Sequence, residues 1–425
     1  MDKENIYRSN ILFFVYLTAV LLTNCGSKPA AAPPRPTTWT IGYWVWGLGE
    51  PVKIEQPVDV LFLQAGTIWP DGTRIDLPQN PPVAREYWLT LRAERGLSGL
   101  PAVTQLAKSL DDLRSRARAQ HLNPVGVQLD IDSPTGSLKE YAKFLAEVRQ
   151  TLPPGMQLSI TALLDWFHDG TGIDAVIAQV DEFVPQFYDL GSPYSDEFIA
   201  APIDAEKWAP RFNRLQKRYR IGISAFGRTR SPESGHLYRG LAPYDIADRM
   251  ASLQDVRRSA AQELILTTKG PDPVQFIVPT PESVRAAVDS AKKFGGYSAG
   301  VVFFRWPNEN ETLVMRPEDV LAAAGFDIRP AEVGVESQSG GCVAVECYDL
   351  ALLRANRFVP HPVEFHVSSS EDIDYLVPPE YGDVPARISG RRQIALKMWP
   401  YAAKARIELG RVVTAKPATF TLETQ

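Results

Sequence analysis

Residues 124–134 read Pro-Val-Gly-Val-Gln-Leu-Asp-Ile-Asp-Ser-Pro, a strand-like run in which polar and apolar residues alternate. Because successive side chains of a strand point to opposite faces, Gln128, Asp130 and Asp132 share one face, and the residues between them form an apolar face. Burying carboxylates is costly unless they are paired, hydrogen-bonded or used in chemistry. Two acids about 7 Å apart also repel each other, which raises the pKa of one toward the range of a general acid. The run therefore predicts a buried strand that ends in a functional site.

This run belongs to a regular alternation of β-rich and helical patterns between residue 40 and about residue 326. Eight strands are predicted, at Thr40–Trp46, Asp59–Ala65, Tyr87–Ala93, Pro124–Ile131, Gln157–Ala162, Phe183–Tyr188, Tyr219–Phe226 and Gly300–Trp306. Helices are predicted at Ala102–Gln120, Leu138–Leu152, Gly172–Val180, Ala205–Gln216, Glu282–Phe294 and Pro317–Phe326. Eight such units fit an α/β fold, the (β/α)8 TIM barrel, with one enlarged connection at residues 229–296. A doubly wound open sheet is the alternative, but no GxGxxG or Walker loop follows any strand.

The last hundred residues follow a different pattern. From residue 327 helical periodicity gives way to short alternating strands, for example at residues 360–367, 393–398 and 405–409. This pattern predicts a small all-β sandwich over residues 327–425, after a barrel over residues 40–326.

The N-terminus carries the features of an export signal. Residues 11–22 are apolar apart from one threonine and follow two basic residues. Twelve residues are too few to cross a bilayer as a helix, but they suit the hydrophobic region of a secretory signal. The end of this region resembles a bacterial lipobox, although Asn24 departs from the usual small residue before the cysteine. We therefore predict a lipoprotein signal peptide at residues 1–24, and lipidated Cys25 with a Pro/Ala-rich tether at residues 25–39.

A lipid anchor would hold the protein on a membrane of the bacterial cell envelope, the outer membrane in a Gram-negative organism. Ordinary secretion after a nearby cleavage is the alternative. With Cys25 lipidated, Cys342 and Cys347 remain as an even pair in an oxidising compartment. A disulfide across the four residues between them is predicted, and two reduced cysteines are the alternative because a short loop restricts disulfide geometry.

Composition excludes several classes of function. The chain has 425 residues, with 45 Lys and Arg against 50 Asp and Glu, for a net charge of −5. Such a chain has no basic surface to track phosphates, so we predict no nucleic-acid partner. The 5 histidines and 3 cysteines are scattered, which argues against a metal centre, and no cofactor is predicted. We expect a monomer.

The segment GVQLDIDSP at residues 126–134 resembles the strand-four signature of the chitinase-type, family-eighteen glycoside hydrolases, Asp-Gly-x-Asp-x-Asp-x-Glu-x-Pro. Later segments keep the family's order. QFYD at 186–189 is similar to its strand six, IGISAFGRT at 221–229 to its strand seven, and GVVFFRW at 300–306 to its last strand. The overall layout also resembles an uncharacterised bacterial family of barrel lipoproteins, known only as a domain of unknown function.

This resemblance implies roles for individual residues. Asp132 stands where the family's glutamic acid protonates the leaving oxygen, and Asp130 where an aspartate orients the substrate's acetamido group. Tyr188 stands where a tyrosine holds the acetamido carbonyl as it attacks the anomeric carbon. Trp306 would stack under the sugar at the cleavage point. Two departures are that Asp132 is one methylene shorter than glutamate and that Gln128 replaces the family's first strand-four aspartate.

A second mechanism remains open at the same rim. Asp132 could pair with Asp189 or with Asp165 as an ordinary acid and nucleophile, and the separation of the two carboxyls would predict retention or inversion. The alternative for Asp165 is a helix N-cap.

Several aromatic residues lie at or just past predicted strand ends, where sugar faces could stack on them, and core packing is the alternative for each. They are Trp44, Trp46, Trp69, Trp166, Tyr188 and Trp306. We predict that Trp44, Trp46 and Trp306 bind substrate together with Gln128, Asp189 and Asp165. Arg228 and Arg305 either bind an anionic sugar or form structural salt bridges.

The sequence thus predicts a lipid-anchored, glycoside hydrolase-like barrel that acts on an envelope or environmental polysaccharide, one that contains N-acetylhexosamine. The alternative is a catalytically inactive glycan-binding lipoprotein with the same fold. A third interpretation takes Asp130-Ile131-Asp132 as the metal-nucleotide motif of a glycosyltransferase. The absence of a nucleotide-binding βαβ pattern and the export signal count against it.

Overall fold

The structure is a computed structural model that describes residues 38–47, 49–188, 202–233, 237–238, 253–308, 311, 313–328, 332–353, 363–379, 386–398 and 406–424. The predicted signal peptide, Cys25 and Asp189 lie outside these residues. Within the ranges given, no helix combines the length and the apolar character needed to span a bilayer.

Parallel strands of the first 306 residues close into a barrel. The strands up to that point are β1 (Thr40–Val45), β2 (Val58–Trp69), β3 (Gly72–Ile75), β4 (Ala84–Ala93), β5 (Pro124–Asp130), β6 (Gln157–Ala162), β7 (Glu182–Pro185), β8 (Arg218–Ser224), β9 (Arg228–Arg230), β10 (Leu237–Tyr238), β11 (Leu253–Arg258), β12 (Leu264–Thr268), β13 (Gln275–Val278) and β14 (Ser298–Trp306). The barrel order is β1-β2-β4-β5-β6-β7-β8-β14, and β1 pairs with both β2 and β14, which closes the sheet. The (β/α)8 barrel predicted from the sequence is therefore confirmed, and each predicted strand overlaps an observed one.

Helices cover the outside of the barrel. Those described are α1 (Val103–Ala119), α2 (Leu138–Thr151), α3 (Ile173–Ile177), α4 (Ala205–Asn213), α5 (Pro281–Lys292) and α6 (Pro317–Ala323). Their apolar residues recur every three or four positions, as with Leu106, Leu110 and Leu113 of α1, and pack into one large core with the outward faces of the strands. At the start of α5, Thr280 and Ser283 form a reciprocal capping box.

The inside of the barrel has its own smaller core. It consists of Trp44, Val60, Phe62, Trp88, Val184 and Val302. At the N-terminal end of the strands, the buried Arg220 guanidinium bonds to the buried Glu182 carboxylate and donates to Thr40 Oγ1 at 3.1 Å. A buried ion pair occupies this end of the barrel, so the opposite, C-terminal rim is the end available for a site.

The enlarged connection between β8 and β14 forms a separate antiparallel sheet. Its order is β10-β9-β13-β12-β11, and its core is made by Leu264, Leu266, Val274, Phe276 and Val278. α5 then leads the chain back to β14, which restores the βα repeat.

The C-terminal strands form two antiparallel sheets. They are β15 (Gly334–Ser339), β16 (Glu346–Leu353), β17 (Val363–Ser369), β18 (Ile373–Val377), β19 (Ala386–Gly390), β20 (Gln393–Met398), β21 (Arg406–Thr414) and β22 (Phe420–Thr424). The sheets have the orders β15-β16-β21-β18 and β19-β20-β17-β22 and share one apolar core. A disulfide joins Cys342 to Cys347 just before and at the start of β16, with 5.8 Å between their Cα atoms.

Candidate functional site

The two acids of the strand-four motif lie at the C-terminal rim of the barrel. Asp130 is the last residue of β5 and is half-buried, whereas Asp132 lies two residues further and is exposed to solvent. Thr161, at the end of the neighbouring β6, donates from Oγ1 to Asp130 Oδ1 at 2.7 Å. The two carboxyls therefore differ in environment, since one is enclosed and hydrogen-bonded while the other faces solvent.

These environments raise the pKa of both acids. Burial raises the pKa of Asp130 from 3.8 to about 6, and the negative charge of Asp132 adds to this effect. The hydrogen bond from Thr161 and the positive charge of Arg92 act the other way. Partial burial also raises the pKa of Asp132 above 3.8, against the opposing charge of Arg92. Both carboxyls are thus moved toward the pH range in which a general acid works.

The backbone that carries Asp132 is held from several sides. The Ser133 amide donates to Ile131 O at 2.9 Å, and the buried Trp166 Nε1 donates to Ser133 O at 2.9 Å. Gly96 has a φ of +55°, and a Cβ at this position would lie 2.7 Å from Asp132 O. Only glycine fits against that carbonyl without a shift. Trp166 therefore supports the acid from beneath and does not offer a platform to a sugar.

Gln128 and Trp44 lie below the rim, inside the barrel. Gln128 is fully buried, and Trp44 Nε1 donates to its Oε1 at 2.7 Å. Thr90 Oγ1 donates to the same oxygen at 3.3 Å, and Gln128 Nε2 donates to Ser159 Oγ at 3.2 Å. The assignment of Gln128 and Trp44 as substrate-contacting residues is corrected by this network, because both side chains are enclosed by the protein. They support the floor of the site.

The prediction that Trp306 stacks under the sugar is also wrong. Trp306 is 1 % exposed, packs edge-on against Tyr43 with ring centroids 5.0 Å apart, and donates from Nε1 to Val52 O at 2.8 Å. It therefore belongs to the outer core and cannot stack under a sugar. The aromatic side chain that β14 directs into the barrel is Phe304, which stacks on Tyr188 at 5.5 Å.

An irregularity in strand pairing explains this difference. Trp44 of β1 pairs with Phe304, but the next residue, Val45, pairs with Trp306, so Arg305 is an extra residue in β14. An extra residue reverses the alternation of side chains beyond it. Simple alternation would place Phe304 and Trp306 on one face, whereas the bulge sends them to opposite faces.

Four half-buried rings form a group at the mouth of the barrel, here called the rim aromatics. They are Trp46, Tyr188, Phe226 and Phe304. Phe304 is central, because its ring centroid lies 5.8 Å from Trp46, 5.5 Å from Tyr188 and 5.4 Å from Phe226. A cluster of partly exposed rings at a barrel rim is suited to bind the apolar faces of sugars.

Arg92 links the acids to the rim aromatics. It lies near the end of β4, in register with Asp130 on β5, and its guanidinium carbon is 6.0 Å from the Trp46 ring. Its charge acts on both acids. The only signal for Arg92 in the sequence is its place near the end of a predicted strand, which indicates that it reaches the rim.

The remaining candidates have protein partners. Asp165 is exposed and accepts a hydrogen bond from Thr135 Oγ1. It lies inside a short 3-10 helix whose N-cap is Leu163, so the interpretation of Asp165 as an N-cap is wrong. Arg228 Nη2 bonds to Glu263 at 2.8 Å, and Arg305 bonds to Glu311 through both terminal nitrogens. The salt-bridge interpretation of these two arginines is therefore the one the structure supports. In the part of the chain that is described, no three His, Cys, Asp or Glu residues lie together as a metal site would need.

Comparison with known proteins finds one family and several similar solved structures. Residues 84–260 match a family described as a domain of unknown function, DUF3142. Among solved structures, the chain is similar to a chitinase from Chromobacterium violaceum ATCC 12472, with 13% identity and a TM-score of 0.43 over 68% of this chain and 98% of that one. It is also similar to the Bacillus cereus spore cortex-lytic enzyme SleL, with 12% identity and a TM-score of 0.45 over 69% and 75%. A third is the Ostrinia furnacalis Group IV chitinase, with 13% identity and a TM-score of 0.42 over 68% and 96%. No curated protein matches the chain.

Proposed function

We propose that this protein is a lipid-anchored glycoside hydrolase of the bacterial cell envelope that cleaves a polysaccharide containing N-acetylhexosamine. The observation that carries the proposal is the acid pair at the rim. Asp132 is open to solvent with a raised pKa, and the half-buried Asp130 lies behind it with a pKa of about 6. A pair of carboxyls beside partly exposed rings is an arrangement suited to glycosidic cleavage.

Asp132 is the proton donor in this reaction. The substrate's acetamido oxygen attacks the anomeric carbon as the bond to the leaving oxygen breaks, and that oxygen takes the proton of Asp132. Water then attacks the same carbon, the bond between that carbon and the acetamido oxygen breaks, and the water returns a proton to Asp132, so that the net reaction consumes one water for each bond cleaved. No protein nucleophile is required.

Asp130 and Tyr188 position the acetamido group during this step. Asp130 is fixed by its hydrogen bond from Thr161, and Tyr188 is fixed by stacking on Phe304. Gln128 is uncharged and hydrogen-bonded to Trp44 and Ser159, so it is not an acidic neighbour with which Asp130 could share its proton. The proton balance of the site therefore depends on Asp130, Asp132 and the charge of Arg92.

The test is release of reducing ends by the full chain from a panel of N-acetylhexosamine polymers, including chitin oligomers and glycan strands of peptidoglycan. Asp132→Asn should reduce the rate by at least about 100-fold, because general acid catalysis typically contributes that much. Circular dichroism should show an unchanged fold, since Asp132 is exposed. The matched control is Asp165→Asn, which removes another exposed acid of the same rim and should leave the rate unchanged.

Two other outcomes would change the proposed mechanism or the proposed function. If Asp165→Asn also abolishes cleavage, the ordinary acid-and-nucleophile mechanism replaces the substrate-assisted one. If wild type releases no reducing ends but binds the polymers, the protein is a catalytically inactive glycan-binding barrel. Membrane attachment is tested separately by cell fractionation, where Cys25→Ala should move the protein from the membrane fraction to the soluble one.

A further inference from the structure

Arg92 presents hydrogen-bond donors at the rim that are not used by any residue in the described part of the chain. A guanidinium carries five N–H donors in a planar fork. Arg228 and Arg305 are bonded to carboxylates, as described above. By contrast, the guanidinium of Arg92 forms no hydrogen bond or ion pair with any residue that the structure describes. Its guanidinium carbon lies 6.0 Å from the centroid of the Trp46 ring.

The position of Arg92 makes the lack of a partner among the described residues unusual. It is half-buried, and its backbone pairs with that of Asp130 where β4 and β5 reach the rim. Removing a charged group from water without giving it a partner is costly. The protein tolerates this cost next to the acid that would cleave the substrate, which is where a ligand group could supply the acceptor.

The electrostatic effect of Arg92 on the two acids does not by itself explain why this residue is an arginine. Its charge does act on Asp130 and Asp132, but it forms neither an ion pair nor a hydrogen bond with either carboxylate. The charge of Arg92 therefore acts on both acids while its N–H donors have no acceptor among the residues that the structure describes. Charge compensation alone would be served equally by lysine, whereas an open fork suits bidentate binding of an oxyanion.

We propose that Arg92 binds a carboxylate carried by the sugar next to the cleavage point, so that the substrate is an anionic N-acetylhexosamine polymer and not a neutral one. This inference rests on the proposed function of the rim. A carboxylate fits better than a phosphate, because the more highly charged phosphate would be repelled more strongly by Asp130 and Asp132. The guanidinium carbon lies over the Trp46 ring at 6.0 Å, a cation–π contact that needs none of its N–H donors.

The test measures binding and does not depend on turnover. Calorimetry with the full-length Asp132→Asn chain would compare a carboxyl-bearing N-acetylhexosamine oligosaccharide with the same compound after reduction of its carboxyl to an alcohol. The carboxylated form should bind at least about 10-fold more tightly, as expected for a charge-assisted bidentate contact. Adding Arg92→Gln should remove this preference, and Arg92→Lys should restore only part of it.

A matched control is available on the same strand. Arg85 lies near the start of β4, at the opposite end of the barrel, and its exposed side chain pairs with Asp59 at 3.3 Å. Arg85→Gln removes the same net charge without touching the rim and should leave the preference intact. If it reduces the preference as much as Arg92→Gln does, the effect is one of overall charge and the proposal is overturned.

The failure of this inference is separable from failure of the proposed function. Wild type that cleaves both oligosaccharides equally, with no change in Arg92→Gln, keeps the hydrolase and overturns the role of Arg92. Wild type that cleaves neither, but prefers the carboxylated ligand through Arg92, overturns the hydrolase and supports the anionic site. A preference that is equal in wild type and Arg92→Gln overturns the inference whatever the rate.

Discussion

Replacing Asp130 with asparagine should make the barrel more stable at neutral pH. In the folded protein Asp130 is half-buried, and burial raises its pKa from 3.8 to about 6. The ionised side chain is therefore less favourable in the folded protein than in the unfolded chain. Asparagine has a similar shape, stays neutral, and keeps an oxygen that can accept the hydrogen bond from Thr161. The variant removes the cost of burying a charge while it keeps the contact.

The sign and size of this change in stability follow from proton linkage. Because the folded state has the higher pKa, it holds the proton more tightly, and the contribution of Asp130 to stability is fully present below pH 3.8 and is lost as the pH rises through about 6. A shift of about two pKa units corresponds to about 3 kcal/mol at 1.4 kcal/mol per unit. Wild type should lose about that much stability relative to Asp130→Asn between pH 4 and pH 8.

The measurement is urea unfolding of the full chain at several pH values, followed by tryptophan fluorescence. Eight of the 9 tryptophans precede residue 327, so the signal reports mainly on the barrel. The two chains should be equally stable near pH 4 and should differ by about 3 kcal/mol at pH 8. As a control, Asp132→Asn should show a smaller pH-dependent difference, because that side chain is exposed. Parallel stability curves for wild type and Asp130→Asn would refute the reasoning.

Three further predictions concern the support of the site. Gly96→Ala should lower the cleavage rate at least 10-fold and destabilise the barrel by about 1 kcal/mol, because its Cβ would displace the backbone of the catalytic acid. Gly136→Ala is the neutral control for both assays, because a Cβ at that position meets nothing within 4 Å. Trp166→Phe should lower the rate more than Trp88→Phe, since both remove a buried indole but only Trp166 donates to the loop of the acid; equal losses in rate assays would contradict this. Arg92→Gln should move the basic limb of the pH–rate profile to higher pH, because Arg92 lowers the pKa of both rim acids, and Arg92→Lys should leave the limb in place.

The part of the site that follows strand alternation could be predicted from the sequence. Asp130 and Gln128 share a face of β5, and the structure places Asp130 at the end of the strand and Gln128 inside the barrel. The alternation of side chains is a local property of an extended backbone, so it needs no knowledge of neighbouring strands. The same argument applied to Trp44 correctly directs it inward but cannot show that Gln128 encloses it.

Contacts between separate strands could not be predicted in this way. Trp306 and Phe304 have the same parity along β14, and only the extra residue opposite β1 shows that Phe304 faces the site and Trp306 the outer core. Arg92 lies next to Asp130 because of the register of β4 on β5. Neither a bulge nor the register between two strands can be inferred from the periodicity of a single strand.

The sequence by itself determined the succession of strands and helices, the inward face of β5 and the presence of acids at its end, because these depend on the spacing of neighbouring residues. The tertiary structure alone decided which side chains meet at the rim. It raised the pKa of Asp130 by enclosing the carboxyl, placed Phe304 on Tyr188, and set Arg92 beside the acids with no ion-pair partner among the described residues. These features depend on register, burial and distance between residues far apart in the chain, which only the folded barrel sets.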